Sequence, residues 1–140
     1  MTRFVVLVLL AAVAVAVAFL LQRRRPDPPS APSYRAPTQL DRQDFADPGR
    51  PFLAVVFAST TCNTCPEVWA MIEPLGSELL AVDRVDVQDR GSLHKRYRID
   101  GVPTTILAGA DGVVSNAFFG PMALAELDEA LAEVGLGRPS

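Results

Sequence analysis

An unbroken run of eighteen apolar residues, FVVLVLLAAVAVAVAFLL at positions 4–21, constrains this chain more than any other feature. As a helix it is apolar on every side, and at about 1.5 Å of rise per residue it just reaches the length needed to cross about 30 Å of hydrocarbon. A chain of 140 residues has too little left over to bury such a helix in a core of its own. The run therefore reads as a single membrane span, with the lipid bilayer as the partner of residues 4–21. A cleaved signal peptide is the competing reading, because Met1, Thr2 and Arg3 resemble a charged leader and the run is rich in alanine. Against it, small-x-small triplets such as Ala14, Val15 and Ala16 lie inside the run, and Gln22, Arg23, Arg24 and Arg25 follow it directly. Three arginines on this flank outweigh Arg3 plus the terminal amine by one charge. The positive-inside rule then places the remainder on the cytoplasmic face, with the extracytoplasmic face as the alternative.

Residues 26–37, PDPPSAPSYRAP, hold five of the twelve prolines. Proline fixes φ and lacks an amide donor, so this stretch reads as an extended, semi-rigid spacer. The chain divides into an anchor with its basic flank at 1–25, the spacer at 26–37 and one folded domain at 38–137. From residue 26 onward nine basic residues stand against sixteen acidic ones. That balance excludes nucleic acid as a partner, since phosphate binding needs clustered positive charge.

Within the domain, Phe52, Leu53, Ala54, Val55, Val56 and Phe57 form a continuous apolar run after the turn residues Asp47, Pro48, Gly49, Arg50 and Pro51. This predicts a strand buried on both faces in an α/β sheet. Past Cys62, the residues Val68, Ile72, Leu75 and Leu79 recur at helical spacing with Trp69 and Met71 beside them. They predict a helix packed by one face on the sheet and kinked at Pro74. A strand over 82–87, with Val85 and Val87 on one face, closes a right-handed parallel crossover. A short helix over 92–98, a strand over 102–107, a turn at Ala110, Asp111 and Gly112, a returning strand over 113–119 and an amphipathic helix over 122–134 follow. The order is a βαβ unit followed by ββα. His94, in the run His94, Lys95, Arg96, reads as a solvated surface residue.

The two cysteines cannot build a disulfide framework, but Cys62, Asn63, Thr64 and Cys65 form a CxxC between a buried strand and a helix start. Unpaired amides and partial positive charge at a helix N-terminus favour thiolate over thiol. Cys62 is then the nucleophile, and Cys65, beyond two intervening residues, resolves the mixed disulfide it forms. Thr64, Pro66 and Glu67 fit a capping box with Thr64 as N-cap, although Glu67 brings a negative charge towards the thiol. A zinc site needs two further Cys or His ligands, and His94 is the sole candidate, so a closed site within one chain is excluded and only a dimer sharing ligands remains. No cofactor is called for.

With these parts in order, including YRIDGVPTTI, Gly120 and the terminal helix, the sequence resembles the thioredoxin superfamily from Thr38 onward. The resemblance implies a three-layer thioredoxin-like α/β fold behind one N-terminal transmembrane helix. It implies a cis peptide at Val102-Pro103 facing Cys62 and Cys65, and substrate contacts from Thr61, Val102, Pro103 and Thr104 through β-augmentation. There are departures: Thr61 stands where a tryptophan commonly precedes the first cysteine, and Asn63 and Thr64 replace Gly-Pro. Val56 occupies the place of a buried acid that relays protons, with Arg84 as that acid's basic partner, and Pro74 lies farther from the second cysteine.

The function expected is a membrane-tethered thiol-disulfide oxidoreductase, reductive if the domain faces the cytoplasm, with a disulfide-containing protein or peptide as substrate and an unidentified electron donor. The alternatives are a non-catalytic thioredoxin-like binding module and a copper- or zinc-holding CxxC protein.

Overall fold

The computed structural model describes residues 1–23 and 34–137. They fall into two compact units, with the division at Ser33 and Tyr34. Arg24, Arg25 and the spacer residues 26–33 lie outside the described residues.

The first unit contains one helix, α1 (Thr2–Arg23). Its segment Thr2–Phe19 has a mean hydropathy of 2.6, and none of it is buried against protein. It is long and apolar enough to span a bilayer.

The second unit is a four-stranded sheet between two layers of helix. In chain order it runs β1 (Phe52–Ala58), α2 (Cys65–Ile72), β2 (Leu80–Asp86), α3 (Val87–Arg96), β3 (Thr104–Gly109), β4 (Val114–Phe119) and α4 (Leu124–Glu133). The spatial order is β2-β1-β3-β4. β1 lies parallel to β2, pairing Phe52 with Leu80 through Ala58 with Asp86. It lies antiparallel to β3, pairing Phe52 with Gly109 through Phe57 with Thr104. The strand expected at the centre is there, because six of the seven β1 residues are buried and an apolar backbone stretch is best satisfied between two partners.

Side chains alternate between two cores. Ala54, Val56 and Ala58 face Cys65, Val68 and Ile72 of α2 and Leu127, Ala130 and Leu131 of α4. Leu53, Val55 and Phe57 face the other way, towards Leu93 of α3, Tyr97, Leu40 and Phe45. The second core is aromatic: Phe57 meets Phe45 at 6.2 Å and His94 at 5.2 Å, both edge-on, and Tyr97 at 6.2 Å between ring centroids.

Several boundaries differ from the sequence reading. α2 stops at Ile72 and passes into one 3-10 turn, Glu73–Leu75, that contains Pro74. Proline is tolerated in the first turn of a new helical segment, so it ends the α-helix here instead of kinking it. Leu79 consequently leaves the stripe and is exposed. β2 begins at Leu80 and α3 at Val87, so Val87 is an exposed helix residue and shares no strand face with Val85. α3 is longer than expected and has a break at Arg90 (φ −127°, ψ 46°). There the Arg90 guanidinium bonds both Asp83 oxygens and the Arg84 carbonyl. β2 is an edge strand whose polar side chains pair locally, Arg84 with Asp86 at 3.0 Å and Asp83 with Arg90 at 2.6 Å.

The folded unit also begins earlier than residue 38. Tyr34 stacks on Phe119 at 5.6 Å, and Gln39 bridges to Val113 just before β4. The segment is locked by Leu40 N–H donating to Gly112 O at 2.8 Å and by Val114 N–H donating to Thr38 O at 3.1 Å. Arg42 is buried and donates to the carbonyls of Arg50 and Gly109, each at 3.0 Å. Burial lowers its pKa from the ordinary arginine value. The Tyr97 hydroxyl joins this segment to the end of α3, accepting from Asp41 N–H and donating to Asp44.

Gly112 has φ +78°, and a Cβ there would lie 1.9 Å from the Leu40 carbonyl oxygen. Gly112→Ala is expected to lose about 1–3 kcal/mol from the backbone conformation alone, with a further loss from moving Leu40 off the core. Urea denaturation measures it, and an unchanged midpoint would show that this turn does not need glycine.

Candidate active site

The cysteines lie where β1 hands over to α2. Ser59, Thr60 and Thr61 leave the strand, Cys62 N–H donates to Ser59 O at 3.2 Å, and α2 starts at Cys65. Cys62 and Cys65 are joined as a disulfide with Cα atoms 5.5 Å apart. Cys65 has no exposure, whereas Cys62 is half-buried. The Cys65 N–H, the first amide of the helix, points at Cys62 Sγ at 3.2 Å, as a helix start with unpaired donors permits. The Thr64 hydroxyl is 3.8 Å from the same sulfur.

The expected capping box is not formed. Thr64 itself has helical dihedrals (φ −96°, ψ −13°) and makes no side-chain cap, so its hydroxyl lies beside Cys62 instead of over the Glu67 amide. Glu67 is exposed.

A second loop at this end of the sheet is the one before β3. Phe57 pairs with Thr104, so residues 102–104 and the loop after Ala58 emerge at one end of the sheet. The Val102–Pro103 peptide is cis. Pro103 O accepts from Gly120 N–H at 2.8 Å, and the Thr104 hydroxyl donates to Gly101 O at 2.7 Å. Pro103 and Thr104 are buried, Thr61 and Val102 exposed. Thr104 thus anchors the loop from inside, and Val102 presents its surface.

Two features had no counterpart in the sequence reading. Gln88, at the start of α3, donates to Ser59 Oγ at 2.9 Å and accepts from Thr60 N–H at 3.1 Å. Ser59 Oγ also lies 3.0 Å from Thr61 Oγ1. This clasp fixes the loop that carries Cys62; the polar run Ser59, Thr60, Thr61 after a buried strand hinted at one partner but not at which. The second is Thr105, fully buried next to Val56 in the sheet register.

His94 corrects an expectation. It is 6% exposed, not solvated, with Nε2 2.8 Å from Val85 O and its ring edge-on to Phe57. The helix places it inward because α3 begins five residues earlier than the periodicity suggested. It belongs to the aromatic core, across the sheet from Cys65. It therefore cannot join the cysteines around a metal within one chain. Among the described residues no three His, Cys, Asp or Glu side chains gather as a metal site.

No protein-family model and no curated protein matches the chain. Solved structures do match, 288 chains among them. One is a point mutant of thioredoxin from Halobacterium salinarum NRC-1, 21% identical, with a TM-score of 0.55 over 75% of this chain and 95% of that one. The fold is thioredoxin-like. In this thioredoxin-like domain the strand and helix joined by the CxxC are β1 and α2. Val56, at the position expected to lack the buried acid, pairs with Arg84 across β1 and β2. Arg84 is bound by Asp86.

Proposed function

We propose that the chain is a membrane-tethered thiol-disulfide oxidoreductase. The observation that carries this reading is the pair itself: a half-buried and a fully buried sulfur within bonding distance, with the first amide of α2 aimed at the more exposed one. In the reduced form that amide favours the Cys62 thiolate. The thiolate attacks a substrate disulfide, one substrate sulfur leaves as a thiol, and a mixed disulfide remains on Cys62. Cys65 then attacks Cys62, the second substrate thiol leaves, and the Cys62–Cys65 disulfide closes.

The substrate class is a protein or peptide disulfide. No hydrogen bond involves the Val102 main chain among the described residues, which leaves its N–H and C=O able to pair with an extended chain. Thr61 and Val102 flank that path, while Pro103 and Thr104 hold its shape. An electron donor returns the pair to the dithiol. The reading is tested by dithiothreitol-driven reduction of insulin disulfides with the full chain in detergent micelles. Turnover above the detergent blank is expected, and none would leave a binding module of the same shape.

Membrane attachment rests on α1, and the arginines after it favour a cytoplasmic domain. The full chain is expected to stay with membranes through alkaline carbonate washing. Its reduced Cys62 is then labelled by an impermeant maleimide only after the cytoplasmic face is opened. Release by carbonate would remove the tether, and labelling of intact cells would reverse the orientation.

A further inference from the structure

We propose that Thr105 is the hydrogen-bond donor that serves the resolving sulfur of Cys65. The proposal rests on the oxidoreductase reading and concerns its second step.

Thr105 has no exposure, and its hydroxyl oxygen has no hydrogen-bond partner. A buried hydroxyl without a partner is costly and is expected to have a use. Its place in the sheet points to one. Thr105 pairs with Val56 of β1 on one side and Phe118 of β4 on the other. Val56 belongs to the core that contains Cys65, as does Leu107 two residues along β3, and Phe118 packs against that core. The Thr105 side chain thus lies on the Cys65 face of the sheet. The other buried residues of that core are apolar, Val68, Ile72 and Leu127 among them. Asn116, on the same face, is partly buried; its Nδ2 donates to Glu133 of α4, and its Oδ1, which has no partner, is an acceptor and not a donor. The buried hydroxyls and imidazole elsewhere are engaged: Ser59 by Gln88, Thr104 by Gly101 and His94 by Val85.

In the disulfide form Cys65 carries no charge and asks nothing of this hydroxyl. During resolution it does. The Cys65 thiol gives up its proton, and its electron pair forms the bond to Cys62. The bond between Cys62 and the substrate sulfur breaks, and that sulfur leaves with the pair and takes up a proton. The two cysteines are oxidised by two electrons, and the substrate disulfide is reduced. Negative charge develops on a sulfur with no access to bulk water, where a donor is worth most. Thr105 supplies that donor, directly or through one bound water, and is itself unchanged at the end.

The test separates the two steps by using the reduced full chain in micelles with a symmetrical aromatic disulfide whose halves leave as coloured thiolates. The first half reports attack by Cys62, the second resolution by Cys65. Thr105→Val keeps shape and volume and removes the hydroxyl. It is expected to leave the first phase within about twofold and to slow the second about ten- to hundredfold, the loss of one hydrogen bond to a charged group. Thr105→Ser is expected to restore the second phase. If Thr105→Val fails to fold, Thr105→Ala set against Thr105→Ser gives the same comparison. An unchanged second phase, equal slowing of both phases, or a serine variant as slow as valine would overturn the proposal. If the unmodified chain releases no colour at all, the oxidoreductase reading fails and takes this one with it.

Discussion

Cys62→Ser is expected to bring disulfide reduction by the full chain down to the uncatalysed background, a loss of at least about a thousandfold. An alcohol at this position is not ionised near neutral pH, so neither the α2 amide nor any other donor makes it a nucleophile comparable with a thiolate. Stability should change little, because Cys62 is only half-buried and closes a loop with just two residues between it and Cys65, and so short a loop restricts the unfolded chain weakly. Cys65→Ser should behave differently. It retains the attacking sulfur and loses the resolving one, so it is expected to accumulate a substrate adduct on Cys62, visible as added mass that dithiothreitol removes. Insulin reduction and intact-protein mass measure both variants. A Cys62→Ser chain as fast as its parent would leave only a recognition module.

Phe57→Ala is expected to cost about 3–5 kcal/mol, the range for removing a large buried aromatic ring. Phe57 is fully buried and is the ring on which Phe45, His94 and Tyr97 converge. Its loss empties the centre of one core layer, and neither β1 nor α3 can move in to fill it while the sheet register holds. Against a total stability of about 5–15 kcal/mol for an ordinary domain, many of the molecules would be unfolded at moderate temperature. Urea denaturation followed by tryptophan fluorescence reads the change, since Trp69 packs against the other core and reports on global unfolding. A shift below about 1 kcal/mol would mean that the aromatic cluster is loosely packed.

The elements that were legible in the sequence are those whose pattern is set by burial alone. β1 is apolar on both faces and is the inner strand it was read to be, and β4 is turned back by Asp111 and Gly112. The thioredoxin-like order of elements followed from these and from the CxxC placed between strand and helix. Periodicity failed where another force decided the outcome. Leu79 continues the helical stripe of α2 in the sequence, yet Pro74 breaks the hydrogen-bond ladder first. His94 looked solvated beside Lys95 and Arg96, but a helix beginning at Val87 turns it inward, where Val85 O satisfies it. The capping box was a matter of one dihedral, since Thr64 adopts helical angles and so cannot cap the helix that follows. At the site, both cysteines could be placed from their neighbours in sequence. The Gln88 clasp and the Thr105 hydroxyl could not, because each depends on strand register that joins distant stretches of chain.

The outer margin of β2 bears on what happens when many copies are crowded together. An uncapped strand offers its amides and carbonyls to any other strand that comes alongside, the usual start of irreversible clumping. Here that rim carries Asp83, Arg84 and Asp86, tied into local ion pairs with Arg90 and with each other. Such pairs add little to the stability of a single molecule, but a second strand could approach only by stripping water from them. The rim therefore disfavours the addition of another strand along this edge.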